Sequence, residues 1–323
     1  MPIEIEDAKC KGHALCVDAC PSHAIALVNG KGTVVSPDDC SDCEACITIC
    51  PEHAIVAKKR GLVIIGEKIN GSLKPVEEAI AKRDAGLIQA LAIRQSKGGA
   101  DYIDVNAGTQ GTKEVEDMMW LVSTIQETTE TPLSIDTTNP NVLQAVLPCV
   151  KHAPLINSCN ADERRLDATI PLVKQYDCKL VALTMGPKNR PEPLPQRLEY
   201  AEKIIGYVRQ AEIPTNRIFF DPIIMPVSVD NKTSLHYFEC IKALKAAYPN
   251  TKSICGLSNV SFAMPKRKFL NQTFVVAALA NGMDAAILDV QDRRMMLQIL
   301  AAQALLNMDP NVAVYKKIFG AMK

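Results

Sequence analysis

Neither sign of charge is in excess in this chain: 36 Lys and Arg stand against 36 Asp and Glu, and the sequence pI is about 6.9. A neutral balance excludes the basic footprint of a nucleic-acid binder and the polybasic surface that seeks anionic membranes. Apolar runs stop far short of bilayer-spanning length. No charged start followed by an apolar stretch reads as a signal peptide, so a cytoplasmic location is expected. The strings HExxH, GxSxG and GxxxxGK[ST] are missing, which removes the zinc-hydrolase, nucleophile-elbow and phosphate-cradle chemistries that depend on them.

Cysteine is what the chain does have, 12 in 323 residues. Seven of them and one histidine form two blocks offset by thirty residues, Cys10, His13, Cys16, Cys20 and Cys40, Cys43, Cys46, Cys50, each followed by proline. The second block, CSDCEACITICP, is the bacterial ferredoxin run C-x2-C-x2-C-x3-C-P. In two-cluster ferredoxins the fourth cysteine of each run serves the other cluster. Cys40, Cys43, Cys46 and Cys20 are therefore expected to hold one 4Fe–4S cluster, and Cys10, Cys16 and Cys50 a second.

His13 stands where the repeat calls for a cysteine. Either its imidazole ligates iron, which would make the cluster less negative and raise its potential, or it is a neighbouring polar residue and three thiolates hold a 3Fe–4S cluster. Zinc is a third reading of paired cysteines, against which stand the proline-terminated runs and the duplicated segments CPSHAI and CPEHAI. His23 and His53, at matched places in those segments, are expected to serve turns or packing. The remaining five cysteines, Cys149, Cys159, Cys178, Cys240 and Cys255, are scattered and read as small buried hydrophobes. Cys159 falls in a predicted site loop.

A basic break at Lys58, Lys59, Arg60 and Gly61 divides a module of residues 1–60 from a body of residues 61–323, and is too short to let the two swing widely apart. Beyond it, short apolar runs alternate with stretches of helical period, the pattern of repeated βα units. Strands are predicted at Leu62–Gly66, Tyr102–Val105, Leu133–Ile135, Pro154–Ile156, Leu180–Leu183, Ile218–Phe220, Ser253–Cys255 and Ala285–Leu288, with helices between them, the first over Pro75–Lys97. Eight such units predict a closed (β/α)8 TIM barrel, an α/β fold, preceded by a small α+β ferredoxin-like iron–sulfur domain. An open doubly wound sheet is the alternative, weakened because no GxGxxG follows the first strand.

Barrel chemistry sits where strands end at their C-terminal face. The predicted exits read GEKIN, DVNAG, IDTTN, INSCN, LTMG, DPIIMP, GLSNV and LDVQD. Any one Asn or Asp there serves a helix cap or turn as readily as a ligand. Repeated around one rim, they supply the paired donors and acceptors that a flat heterocycle such as a pterin needs.

The strings GEKIN, DVNAG, IDTTN, INSCN, DPIIMP, GLSNVSF and FLNQTF, spread from Gly66 to Phe274, resemble the methyltetrahydrofolate:corrinoid protein methyltransferases of the pterin-binding barrel superfamily. The resemblance implies that Asp136, Asn157 and Asp221 hydrogen-bond the pterin and that Asn259 lies beside N5, the atom that carries the methyl group. Asp104 and Asn106 follow as candidate pterin contacts or as the floor of the site. Arg267, in the stretch Lys266, Arg267, Lys268, matches a family arginine that would meet the folate tail or an acidic partner; its bland reading is a solvated helix start. The implied substrates are methyltetrahydrofolate or a related pterin and a corrinoid. No DxHxxG cobalamin signature occurs, so the corrinoid is expected on a separate protein. A homodimer is expected by resemblance alone.

The ferredoxin module departs from ordinary members of that family. It would either return oxidised cobalt to the reactive cobalt(I) state, directly or with a redox partner, or serve as a structural or docking surface. Two other functions share the scaffold: a dihydropteroate synthase, whose late arginine and histidine motif LDVQD lacks, and an electron carrier or corrinoid reductase on a retired pterin barrel.

Overall fold

The computed structural model describes residues 3–36, 45–57, 61–187, 192–309 and 312–320. The expected break at Lys58, Lys59 and Arg60, and the ligands Cys40 and Cys43, lie outside them. The chain separates into two compact units, Met1–Gly61 with Gln303–Lys323, and Leu62–Ala302.

In the first unit, β1 (Ile3–Ile5) pairs antiparallel with β4 (Ile55–Ala57), and β2 (Ile25–Val28) with β3 (Lys31–Val34). Two short helices, α1 (Leu15–Asp18) and α2 (Ala45–Ile49), carry Cys16 and Cys46. Ile3, Ala24, Ile25 and Ile55 pack with Cys16, Cys20 and Cys46. So small an apolar centre closes around its own cysteines. The repeat seen in sequence is also a repeat in space: the amides of Ala24 and Ala54 donate to Cys20 Sγ and Cys50 Sγ at 3.3 and 3.4 Å. Between each donor and its cysteine, His23 and His53 adopt left-handed φ of 51° and 46°, and their amides bond the carbonyls of Cys20 and Cys50. Both histidines occupy turns.

The second unit is a closed barrel of eight parallel strands, β5 (Val63–Asn70), β6 (Tyr102–Asn106), β7 (Leu133–Asp136), β8 (Leu155–Asn160), β9 (Lys179–Leu183), β10 (Ile218–Asp221), β11 (Lys252–Gly256) and β12 (Ala285–Leu288). Each strand pairs with the next and β12 returns to β5. Around it lie α3 (Lys74–Lys82), α4 (Ala85–Lys97), α5 (Thr112–Gln126), α6 (Pro140–Val146), α7 (Glu163–Gln175), α8 (Leu194–Gln210), α9 (Thr233–Ala247), α10 (Arg267–Ala280) and α11 (Arg293–Leu305).

Two sequence expectations change. The single helix over Pro75–Lys97 is two, because Arg83 turns left-handed at φ 54° and the Asp84 carboxylate caps a new start by accepting from Leu87 N at 3.2 Å. Strands β5 and β8 run on through GEKIN and INSCN, so those segments pair as strand instead of leaving it as loop. The β8–β9 register shifts between Asn157 and Cys159.

Alternation along the strands, with successive side chains on opposite faces, then sorts the barrel by layers. Ile65, Tyr102, Leu155, Val181, Phe219, Ile254 and Ala285 form one apolar cluster, one residue from each of seven strands. The intervening positions, such as Ile103, Ile135, Ile156 and Phe220, belong to the larger core shared with the helices. Counting two residues on from the inner cluster reaches Glu67, Asp104, Asn157, Asp221 and Gly256. An apolar plug thus underlies a polar floor at the C-terminal strand ends.

Candidate active site and cluster cavity

The polar floor is wired across three adjacent strands. On β6, the Asp104 carboxylate accepts from Ser134 Oγ of β7 at 2.6 Å and from Asn157 Nδ2 of β8 at 3.2 Å. Asn106 Nδ2 donates to Asp136 Oδ2 at 3.0 Å and to the Asp136 carbonyl at 3.3 Å. Asn106 Oδ1 accepts from Gly108 N at 2.7 Å, and its carbonyl from Gly71 N at 2.8 Å. Asn106 therefore spends its groups on protein partners and fixes Asp136. The Asp136 side chain is half-buried where Asp104 is buried.

Burial leads in pushing the carboxyls of Asp104 and Asp136 upward, Asp104 the more strongly; the Asp136 charge adds to the rise of Asp104, and the Glu114 charge to that of Asp136, which its bonds with Asn106 and Asp104 oppose.

On the opposite arc, Asp221 is buried and its acidity is pushed to about 7. Burial is the leading cause, opposed by the amides of Ile223 and Gly256 and by the Arg197 guanidinium. Ile223 N donates to Asp221 Oδ1 at 2.7 Å. Arg197, itself buried in α8, donates to the carbonyls of Glu192 and Pro222.

Asn259 is exposed on a single 3-10 turn, Leu257–Ser261, directly after β11. Its amide lies against Gly256, where an added Cβ would come within 3.1 Å of Asn259 Nδ2. Through Gly256 it adjoins Asp221. The turn is tied down at both sides: Ser258 Oγ donates to Glu67 of β5 at 3.0 and 2.8 Å, and Arg267 donates from Nε to Ser261 Oγ at 3.0 Å and from Nη2 to the Ser258 carbonyl at 2.5 Å. Arg267 thereby braces the turn that carries Asn259. Lys68 reaches Asp289 at 2.8 Å and Glu67 at 3.9 Å.

The structure brings Asp104, Asn106, Asp136 and Asn157 into one network, and sets Asp221 and Asn259 on either side of Gly256 at the same end of the barrel. Sequence reasoning missed Ser134, Glu67, Ser258 and Arg197. Ser134 and Glu67 carried a signal, since each sits an even step from an inward position on its strand; Arg197 carried none. Cys159 is buried in β8, donates to its neighbour's carbonyl, and burial raises its thiol to about 11. It is a packed residue.

In the first unit, Cys10, His13, Cys16 and Cys50 line one small cavity, with Gly12, Gly32, Pro51 and Glu52. Gly32 leaves room for the sulfurs, because a Cβ there would stand 3.2 Å from Cys16 Sγ and 3.9 Å from Cys10 Sγ. Gly32 N donates to Cys10 Sγ at 3.4 Å. Burial leads in raising the Cys16 thiol, and the neighbouring Cys10 and Cys50 add to it. Three sulfurs that repel one another as thiolates, two of them receiving backbone amides, suit a polynuclear cationic core. Among the described residues, no three His, Cys, Asp or Glu side chains converge on a single metal ion.

Comparison with known proteins agrees with both halves. A pterin binding enzyme model matches residues 76–289, about two thirds of the chain. The chain belongs to the pterin binding enzyme family. A 4Fe-4S dicluster domain model matches residues 2–66. The methylcorrinoid:tetrahydrofolate methyltransferase of Eubacterium limosum is 36% identical over 260 residues, covering 80% of this chain and 96% of that protein. Methionine synthase of Mycobacterium tuberculosis is 25% identical over 285 residues, which are 84% of this chain but 24% of the larger protein. Among solved structures, a dihydropteroate synthase from Coxiella burnetii in complex with pteroic acid superposes with a TM-score of 0.60 at 17% identity, over 79% of this chain and 96% of that one. At that identity the likeness is one of fold alone.

Proposed function

We propose that this pterin binding enzyme is a methyltransferase that moves a methyl group between N5 of a tetrahydrofolate and the cobalt of a corrinoid held by a partner protein. The observation that carries the reading is the carboxylate and carboxamide network on β6, β7 and β8, set over an apolar plug, in a chain 36% identical to a methylcorrinoid:tetrahydrofolate methyltransferase. Dihydropteroate synthase chemistry has the fold in its favour and no more.

Asp221, Asp136 and Asn157 supply the acceptors and the amide that hold the pterin edge. A carboxylate takes the ring's amide and amine hydrogens, and acidities near neutrality let these groups adjust their protonation to the bound ring. Asp104 shapes the floor beneath them through Asn157, and Asn106 orients Asp136. Asn259 faces N5. A tertiary amine leaves poorly until it gains positive character, and the Asn259 carbonyl accepts a hydrogen bond from protonated N5 as charge develops. In the reverse direction the same bond stabilises the same transition state. Alignment of N5, methyl carbon and cobalt supplies much of the remaining acceleration.

Cys10, Cys16 and Cys50, and Cys20 and Cys46 with Cys40 and Cys43, would hold two clusters, which would supply one electron at a time at low potential. Such a supply would return a partner's oxidised cobalt to the reactive state. The enzyme acts in the cytoplasm as a homodimer. No described helix is long and apolar enough to cross a membrane.

The test is anaerobic mixing of the full chain with methyltetrahydrofolate and cobalt(I) cobalamin. Loss of the cobalt(I) absorption, with tetrahydrofolate formed in equal amount, is expected. An unchanged spectrum with bound folate would overturn the reaction class.

A further inference from the structure

We propose that His13 is the fourth protein ligand of the cluster seated on Cys10, Cys16 and Cys50, bonding iron through Nδ1, and that Glu52 is the positioning residue that holds the ring for it. The inference rests on the reading that a cluster fills this cavity.

Three observations converge. His13 occupies the place at which the thirty-residue repeat demands a thiolate, opposite Cys43 in the second block. Its ring lines the same cavity as the three sulfurs. And one ring nitrogen is already committed, since His13 Nε2 lies 3.1 Å from Glu52 Oε1.

Glu52 does not sit there by accident of a loose surface. Its second oxygen, Oε2, is 2.9 Å from Lys11 Nζ, so the carboxylate is oriented from both sides. Between an ammonium and an imidazole, an anionic carboxylate is an acceptor only; the proton of a neutral ring therefore resides on Nε2, and the lone pair resides on Nδ1. That is the tautomer a metal ligand needs. A carboxylate on the remote nitrogen of a ligating histidine is the recurrent device for fixing ring orientation and raising ligand basicity.

The local chain explains why both residues arrive. Gly12, at φ 72°, packs so tightly against Gly30 that a Cβ would stand 2.1 Å from the Gly30 carbonyl oxygen. Ala14 follows at φ 63°. Two left-handed residues bracket His13, and all three line the cavity. Glu52 follows Cys50 and Pro51, and all three line that cavity. Cys50 N-terminal to it and Cys10 N-terminal to Lys11 make the Lys11–Glu52 pair a clasp beside the two sulfurs.

Replacing a thiolate by a neutral imidazole removes one negative charge from the cluster and its ligands, and should raise its potential above that of an all-cysteine partner cluster. The two clusters of the unit then differ in potential, which a pair of identical sites would not.

The experiment uses the full chain, purified anaerobically with 15N-histidine, and poised so that the higher-potential cluster alone is reduced. Pulsed EPR is expected to show a strongly coupled nitrogen on that signal. His13→Ala should abolish the coupling, and His13→Cys should abolish it while lowering the midpoint of that cluster. Glu52→Ala should retain the coupling but speed iron loss to a chelator roughly 10-fold or more, by analogy with other supports of ligating histidines. In a His13→Cys background the same Glu52→Ala change should have no effect. A cluster on Cys10, Cys16 and Cys50 without nitrogen coupling, a three-iron signal in the oxidised protein as isolated, or a Glu52→Ala effect undiminished by His13→Cys would overturn the assignment. Iron content unaffected by Cys16→Ala would overturn the underlying reading that a cluster occupies the cavity.

Discussion

Ser258 donates its hydroxyl to the Glu67 carboxylate, at 3.0 and 2.8 Å from its two oxygens, across 191 residues of sequence. The bond ties the first barrel strand to the turn that presents Asn259, and Arg267 holds the same turn from its other side. Burial raises the Glu67 carboxyl, and the Ser258 hydroxyl opposes that rise. Neither residue need touch the folate for this link to matter. Ser258→Ala is expected to slow methyl transfer about tenfold through misplacement of Asn259, with folate affinity within twofold of wild type. Stopped-flow single turnovers set beside calorimetric titration separate the two quantities.

Asn259→Ala is expected to lower the transfer rate by a factor on the order of 10² to 10⁴, the range for a positioned group that stabilises developing charge. Single-turnover loss of the cobalt(I) absorption measures it. A rate within threefold of wild type would remove Asn259 from the role assigned to it.

Asp221→Ala is expected to weaken folate binding more than it slows the chemistry of bound folate. The deletion removes an acceptor that binds substrate and transition state alike, so the loss falls on affinity. Calorimetry with tetrahydrofolate checks the first quantity and single turnovers at saturating substrate the second.

Asp221 also makes stability depend on pH in a stated direction. Its folded acidity is about 7, raised by burial from an ordinary value of 3.8. Between those values the folded chain keeps a proton that the unfolded chain has lost, so stability falls as pH rises through the window and levels off above it. Asp221→Asn lacks the ionisation. The variant should therefore gain on the wild type from pH 5 to pH 8 in the absence of folate, by an amount on the order of a few kcal/mol at most. Denaturant unfolding of the two proteins at each pH would show the gap widening; a constant gap would contradict it.

Gly71→Ala tests the floor. A Cβ at Gly71 would stand 2.2 Å from the Ala107 carbonyl oxygen, and Gly108 presses back on Gly71 with φ 69°. Backbone must move, and with it Asn106, whose carbonyl binds Gly71 N. A loss of several kcal/mol is expected, in the class of strained-backbone substitutions, readable as a lowered melting temperature. Gly111→Ala, with open space around its Cβ position but a backbone at φ 68° and ψ -142° that is essentially reserved for glycine, should cost about 1–3 kcal/mol through backbone strain alone.

Much of this was legible in one dimension. Short apolar runs separated by helical stretches announced eight βα units, because a parallel strand must be buried on both faces and a helix on one. Strand ends were less legible: polar residues such as Glu67 and Asn157 resemble loop, yet they pair as strand because the barrel's inner face at its mouth tolerates polar groups. The break after Lys82 escaped notice since Arg83 is no glycine, although Asp84 three residues before Leu87 was a capping signal. Arg267 read as a solvated helix start or a ligand for substrate or partner; it is exposed at the start of α10 and also bonds Ser258 and Ser261.

Composition, spacing and order determined which chemistries this protein carries: paired cysteine blocks that call for iron and sulfide, and a recurring Asp and Asn at the strand ends that calls for a flat, hydrogen-bonding ring. Those are local properties, written in neighbouring residues. Tertiary structure alone decided which of these groups meet, and with it the acidity of the buried carboxyls: Asp104 beside Asp136, Asn259 beside Gly256 and Asp221, His13 against Glu52. Proton affinity depends on burial and on the charges a side chain faces, and those neighbours come together only when strands close into a barrel and the cysteine loops fold around their cavity.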